Sequence, residues 1–154
     1  MKKILFVCQE NLSCLPMAKA IMKYLLEQNG LADQYIAESK VTVQYALGRG
    51  IDLQAQRELE KQKIPYDCGH HVSQLTAQDY QQYEYLICMD EENFVNMNRI
   101  TGGDPERKEY KLLEFAGSYS DIDDPWYTKD FDTAYKEIYQ GCEGLVKKLA
   151  QKTF

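Results

Sequence analysis

No stretch of this chain approaches the run of about 18 apolar residues that a membrane-spanning helix requires, and no charged-then-apolar leader opens it. A soluble, cytoplasmic protein without membrane contact is therefore expected. Clustered lysine and arginine are missing as well. The net charge of -6, with 27% charged residues, argues against nucleic acid and against a basic membrane patch. The five cysteines (Cys8, Cys14, Cys68, Cys88 and Cys142) are odd in number, dispersed and without a C-x2-C pair. That excludes a secreted disulfide framework and leaves zinc held by Cys8, Cys14 and His71 a thin idea. Repeats, linkers and low-complexity segments are also absent, so the 154 residues form one domain, 1–154, with a single core.

What is present is an alternation of short apolar runs with helical periodicity. Strands are expected at 3–7, 35–39, 85–89 and 109–113. Helices are expected at 16–28, 53–62, 76–80, 91–99 and 130–149, the last with a stripe of Phe131, Tyr135, Ile138, Cys142, Leu145 and Leu149. Strands alternating with helices predict an α/β fold: an open, parallel, four-stranded sheet with helices on both faces and a ligand site at the carboxyl ends of the strands.

The most informative segment runs from Val7 to Ala18. Cys8 ends the first strand and faces the amino terminus of the helix that follows, which buries Leu15, Ala18, Met22 and Leu25. Unpaired N–H groups and the helix dipole make such a place an anion site and favour a thiolate.

The segment Val7-Cys8, Asn11 and Pro16-Met17-Ala18, together with Asp124-Pro125-Trp126-Tyr127, resembles the low-molecular-weight protein tyrosine phosphatases. Their loop reads V-C-x-G-N-x-C-R-S-P-M-A and aligns without a gap from Val7 to Ala18. The likeness continues through Glu38-Ser39, Gly48-Arg49, Arg57-Glu58-Leu59, His70, Gln74-Leu75-Thr76, Met89-Asp90, Asn93 and the terminal helix, and so covers essentially the whole chain. It implies the family's flavodoxin-like architecture, no cofactor, and a loop cysteine that attacks phosphorus while an arginine grips the phosphoryl oxygens and an aspartate protonates the leaving phenol. The cysteine matches Cys8 and the aspartate Asp124.

The pocket itself departs from that pattern. Cys14 stands at the arginine position, Leu15 at the serine, Glu10 at the glycine and Ser13 at the second loop cysteine. Cys14 cannot supply the bidentate fork that a phosphoryl group needs, and Glu10 adds like charge beside a dianion. Losing a transition-state arginine costs on the order of a thousandfold, by analogy with arginine fingers. Lys40-Val41-Thr42-Val43, with Tyr45 just beyond, and His71 and Ser73 also fall outside the pattern. Changes gathered at one pocket on a retained scaffold point to a pseudoenzyme or a redesigned site.

Each candidate residue carries an ordinary alternative. Cys8 is a reactive thiol or an inert buried one; Cys14 is filler, a disulfide partner of Cys8, or a second nucleophile. By the resemblance His70 braces Asn11, whereas His71 is either the base of a thiol hydrolase or a solvated loop residue. Glu10, Asn11, Leu12, Ser13, Leu15 and Val43 line the expected substrate pocket. Tyr45, Trp126 and Tyr127 are its aromatic walls, or simply core or surface residues. Asp121, Asp123 and Asp124 suggest a cation site only weakly, since the twelve-residue calcium loop is missing, and no metal is expected.

Three functions follow: a thiol hydrolase of small activated esters, favoured; a crippled tyrosine phosphatase; or a non-catalytic binding module. The expected partner is a small or aryl molecule, with the chain a monomer or weak dimer.

Overall fold

Strand β1 (Lys2–Cys8) is apolar from Ile4 onward and buried on both faces, which fits a central strand of a parallel sheet. In the computed structural model, which describes residues 1–9, 14–42, 52–66 and 73–152 except the side chains of Trp126 and Lys152, β1 pairs with β2 (Tyr35–Val41) and β4 (Tyr85–Cys88). Strand β5 (Glu109–Lys111) closes one edge and β3 (Ser73–Gln74) the other, giving the all-parallel order β3-β2-β1-β4-β5. The sheet therefore has five strands, not the expected four. A strand of two residues has no period to read, and only its pairing with Lys40 and Val41 reveals it.

The remaining elements are helices α1 (Cys14–Gln28), α2 (Leu53–Lys61), α3 (Glu91–Thr101), α4 (Pro125–Thr128) and α5 (Phe131–Lys152). Two 3-10 helices, Ala77–Gln82 and Leu112–Ala116, complete the described structure. Ile4, Phe6 and Cys8 face α1, α2 and α5, whereas Leu5, Val7, Leu86 and Cys88 pack with Met97 of α3. Side chains alternating across β1 thus divide the core into two layers. Because β2 and β4 flank β1 on opposite sides, the chain reverses its direction of travel across the sheet at β1, and the crevice there opens at the ends of β1 and β4.

Local chemistry fixes the boundaries. Asp90 caps α3 by accepting from Asn93 N–H at 2.8 Å, and Gly102 ends it in the left-handed region at φ 90°. The strand expected at 109–113 stops at Lys111, whose N–H donates to Glu114 at 2.7 Å and turns the chain into a 3-10 helix. On the other flank Lys40 pairs with Asp79 at 2.8 Å, while Asp79 also accepts from Thr76 N–H at 2.8 Å. These partners, against the cost of burial, hold the Asp79 carboxyl below its ordinary range.

In α5, Ile138, Cys142, Leu145 and Leu149 are fully buried, as their stripe predicts, whereas Phe131 is only half-buried. Gly141 and Gly144 let the Leu112–Ala116 helix press against α5: a Cβ at Gly144 would run into the Phe115 carbonyl, and one at Gly141 into the Leu112 side chain. Gly144→Ala is expected to destabilise the fold by about 3 kcal/mol despite alanine's better helix propensity. Urea unfolding measures this, and a neutral or stabilising result would refute the close approach.

Candidate active site

The crevice is built on Cys8, at the carboxyl end of β1 and fully buried, and Cys14, the first residue of α1 and equally buried. Neither is disulfide-bonded, so the disulfide alternative is not realised. Cys88, the last residue of β4, is a third buried free thiol, close to Asp90 O at 3.5 Å and Tyr110 O at 3.6 Å. Thr42 N–H donates to Cys8 O at 2.9 Å, while the buried Thr42 hydroxyl has no hydrogen-bond partner among the described residues.

The electrostatics reverse the thiolate expectation. Burial pushes the Cys8 thiol well above its ordinary range, and Cys14, Cys88, Asp90 and Asp124 each add to the rise. Desolvation is the largest cause, and it disfavours the thiolate against the helix terminus that favours it.

Asp124 reaches this neighbourhood through a braced loop. Ile122 N–H donates to Met89 O at 2.8 Å, and Asp121 accepts from Glu91 N–H and from Lys111 Nζ, both at 3.0 Å. Lys111 also donates to Tyr119 O at 2.6 Å. Burial alone would lower Lys111, but its contacts with Asp121 and Glu91 outweigh that and raise it. Asp124 itself is half-buried, and its carbonyl accepts from Tyr127 N–H at 3.1 Å and Thr128 N–H at 3.2 Å as Pro125 starts α4. Asp121 is thus a structural anchor. Among the described residues no cluster of cysteine, acidic or histidine side chains is arranged to hold a metal.

Of the residues expected at the site, Cys8, Cys14 and Asp124 come together. Leu15 is fully buried in the core beside α1's other apolar residues, and Tyr127 is 77% exposed. Glu10, Asn11, Leu12, Ser13, Val43, Tyr45, His70 and His71 lie outside the described residues, as does the side chain of Trp126. Asp90 and Cys88 had been given no role from the sequence. Asp90 was findable: an aspartate just after an apolar strand, with acidic residues next, is a helix-start signature.

The comparisons agree with this architecture. The family profile described as "Low molecular weight phosphotyrosine protein phosphatase" matches residues 3–153. The human protein of that name is 30% identical over 155 residues, covering 96% of this chain and 95% of its own. PtpA of Staphylococcus epidermidis, a low molecular weight protein-tyrosine-phosphatase, is 34% identical over 144 residues, covering 93% and 90%. The crystal structure of YfkJ from Bacillus subtilis superposes with a TM-score of 0.93 at 29% identity, covering 100% of this chain and 98% of that one. The chain belongs to the low-molecular-weight phosphotyrosine protein phosphatase family.

Because burial disfavours the Cys8 thiolate, its alkylation by iodoacetamide is expected to be slower at pH 7 than that of an exposed thiol and to speed up as pH rises. Peptide mapping of the labelled protein checks this; preferential labelling of Cys8 at neutral pH would contradict it. The same shift links to stability. Above the ordinary thiol pKa the unfolded chain loses protons that Cys8, Cys88 and Cys142 retain when folded, so stability is full below that value and falls as pH rises past it.

Proposed function

We propose that this member of the family is a thiol hydrolase of small, activated, uncharged esters, with hydrolysis of phosphomonoesters very weak. The observation that carries the reading is the Cys8 environment: burial raises its pKa, and among the described residues two thiols and two carboxylates add to the rise. A phosphate dianion entering beside Asp90 and Asp124 meets like charge, and the position that the family fills with arginine holds the buried Cys14. A neutral carbonyl meets no such barrier.

In this mechanism Cys8 Sγ attacks the carbonyl carbon as a general base takes its proton, because a neutral thiol is a poor nucleophile. Asp124 is one candidate base and His71, from the sequence, the other. Collapse of the tetrahedral intermediate expels the alcohol or phenol, which leaves with a proton, and forms a thioester that water then hydrolyses. Backbone N–H groups of the loop between Cys8 and Cys14 serve the oxyanion. By the resemblance, Tyr45, Trp126 and Tyr127 are the walls for an aryl substrate, with Glu10, Asn11, Leu12, Ser13 and Val43 around it, whereas the buried Leu15 supports the pocket from the core.

The second reading is a residual tyrosine phosphatase, and one observation favours it: Cys8 and an aspartate preceding a proline, the family's nucleophile and acid, lie close enough to interact. Side-by-side assay of p-nitrophenyl acetate and p-nitrophenyl phosphate separates the two. The first reading expects ester turnover that Cys8→Ala abolishes, with phosphate turnover near background. The second expects phosphate turnover that rises by on the order of a thousandfold in the double variant Cys14→Arg/Leu15→Ser. If neither substrate is turned over above the Cys8→Ala and Cys14→Ala backgrounds, both catalytic readings fail and a binding module remains.

A further inference from the structure

At the amino end of β5, opposite the crevice, a carboxyl is buried without a cation in contact among the described residues. Glu109 opens the strand and is 6% exposed. Its oxygens take the Thr101 hydroxyl and, at 3.2 Å, the side-chain amide of Asn98, both from the end of α3. A helix terminus of that polarity disfavours negative charge. The basic groups nearby are engaged elsewhere. Lys108 lays its ammonium over the Tyr80 ring at 4.2 Å and beside Glu106 at 3.9 Å. Arg99, the basic residue of the last turn, is exposed and donates to Asn96 at 2.9 Å, while Lys111, on the same strand, pairs with Asp121. The neighbouring acid adds charge of the same sign: Asp104 accepts from the Tyr80 hydroxyl at 2.6 Å, Lys108 N–H at 2.8 Å and Glu109 N–H at 3.1 Å.

The three side chains use every donor between them when Glu109 carries a proton. Glu109 Oε2 then donates to Thr101 Oγ1, Thr101 passes its own hydrogen to Asn98 O at 3.3 Å, and Glu109 Oε1 accepts from the Asn98 amide. Without that proton the Thr101 hydrogen turns to Glu109, Asn98 O loses a donor, and a buried carboxylate is left with two neutral partners. We infer that Glu109 is a proton-operated clasp, closed when protonated, that fastens the last turn of α3 to the edge strand β5. Burial pushes the Glu109 carboxyl above its ordinary range and Asp104 adds to the rise, against the opposing bonds from Thr101 and Asn98 and the charge of Lys108. The folded protein therefore holds this proton to higher pH than the unfolded chain does. The clasp contributes fully below the ordinary carboxyl range and is lost as pH rises through the raised one. It is independent of the reaction proposed above.

Urea unfolding of the wild-type chain and of Glu109→Gln between about pH 4 and pH 7 tests this, because glutamine keeps a donor for Thr101 and an acceptor for Asn98 but cannot ionise. The unfolding constant of the wild type relative to the variant is expected to grow with pH, by about tenfold for each unit by which Glu109 is raised. Exchange protection of the Gly102 and Gly103 amides, which donate to Asn98 O at 3.1 Å and 2.9 Å, is expected to fall over the same range in the wild type and to stay level in the variant. Carboxyl-carbon NMR of the wild type gives the midpoint of Glu109 itself, and decides alone if the variant does not fold. A midpoint at or below those of the exposed glutamates overturns the inference. So do stability curves that run parallel, or amide protection with the same pH profile in both proteins.

Discussion

Burial of one thiol governs the chemistry of this molecule. Cys8 ends the strand with neighbours on both sides, so no rearrangement short of opening the sheet can expose it from below, and α1 covers it from above. In a water-filled crevice lined with cations, that position yields a thiolate nucleophile. Here, among the described residues, two thiols and two carboxylates add to the rise that burial causes, which disfavours the thiolate. The electrostatic environment, not the placement of the cysteine, therefore decides what the site can do.

The acidic side of the crevice is held by a separate device. Lys111, almost wholly buried, gathers Tyr119 O, Asp121 and Glu91, and so ties β5, the loop leading to Asp124, and the start of α3 to one ammonium. Asp121 returns the connection by accepting from Glu91 N–H at the helix terminus, where a carboxylate is favoured by the dipole. This cation is spoken for. It braces the loop before Asp124, and its field at Cys88 works against the rise that burial causes there.

Most of the fold was legible because its signals are long. The apolar run of β1 and the stripe of α5 are strong periodic patterns, and both were found within a few residues. What escaped is short or cooperative. The two-residue β3 exists only through its pairing, the four-residue α4 depends on Pro125 at its first position, and the early end of β5 is set by one Glu114 carboxylate. At the site, the positions of Cys8, Cys14 and Asp124 could be read from the loop and the Asp-Pro pair. The protonation of Cys8 could not, because the sequence shows a helix terminus but not the depth of burial beneath it, nor that Asp90 and Cys88 converge from β4.

Cys14 suits the fold. At zero exposure among Cys8, Leu15 and Met17, Cys14 sits where a small, weakly polar side chain packs without loss. A guanidinium rooted there must either reach the crevice and find an anion or lose its hydration unpaired, and breaking a buried charge pair costs roughly 3–5 kcal/mol. An arginine at this position ties stability to ligand, whereas a cysteine lets α1 begin at residue 14 with or without one.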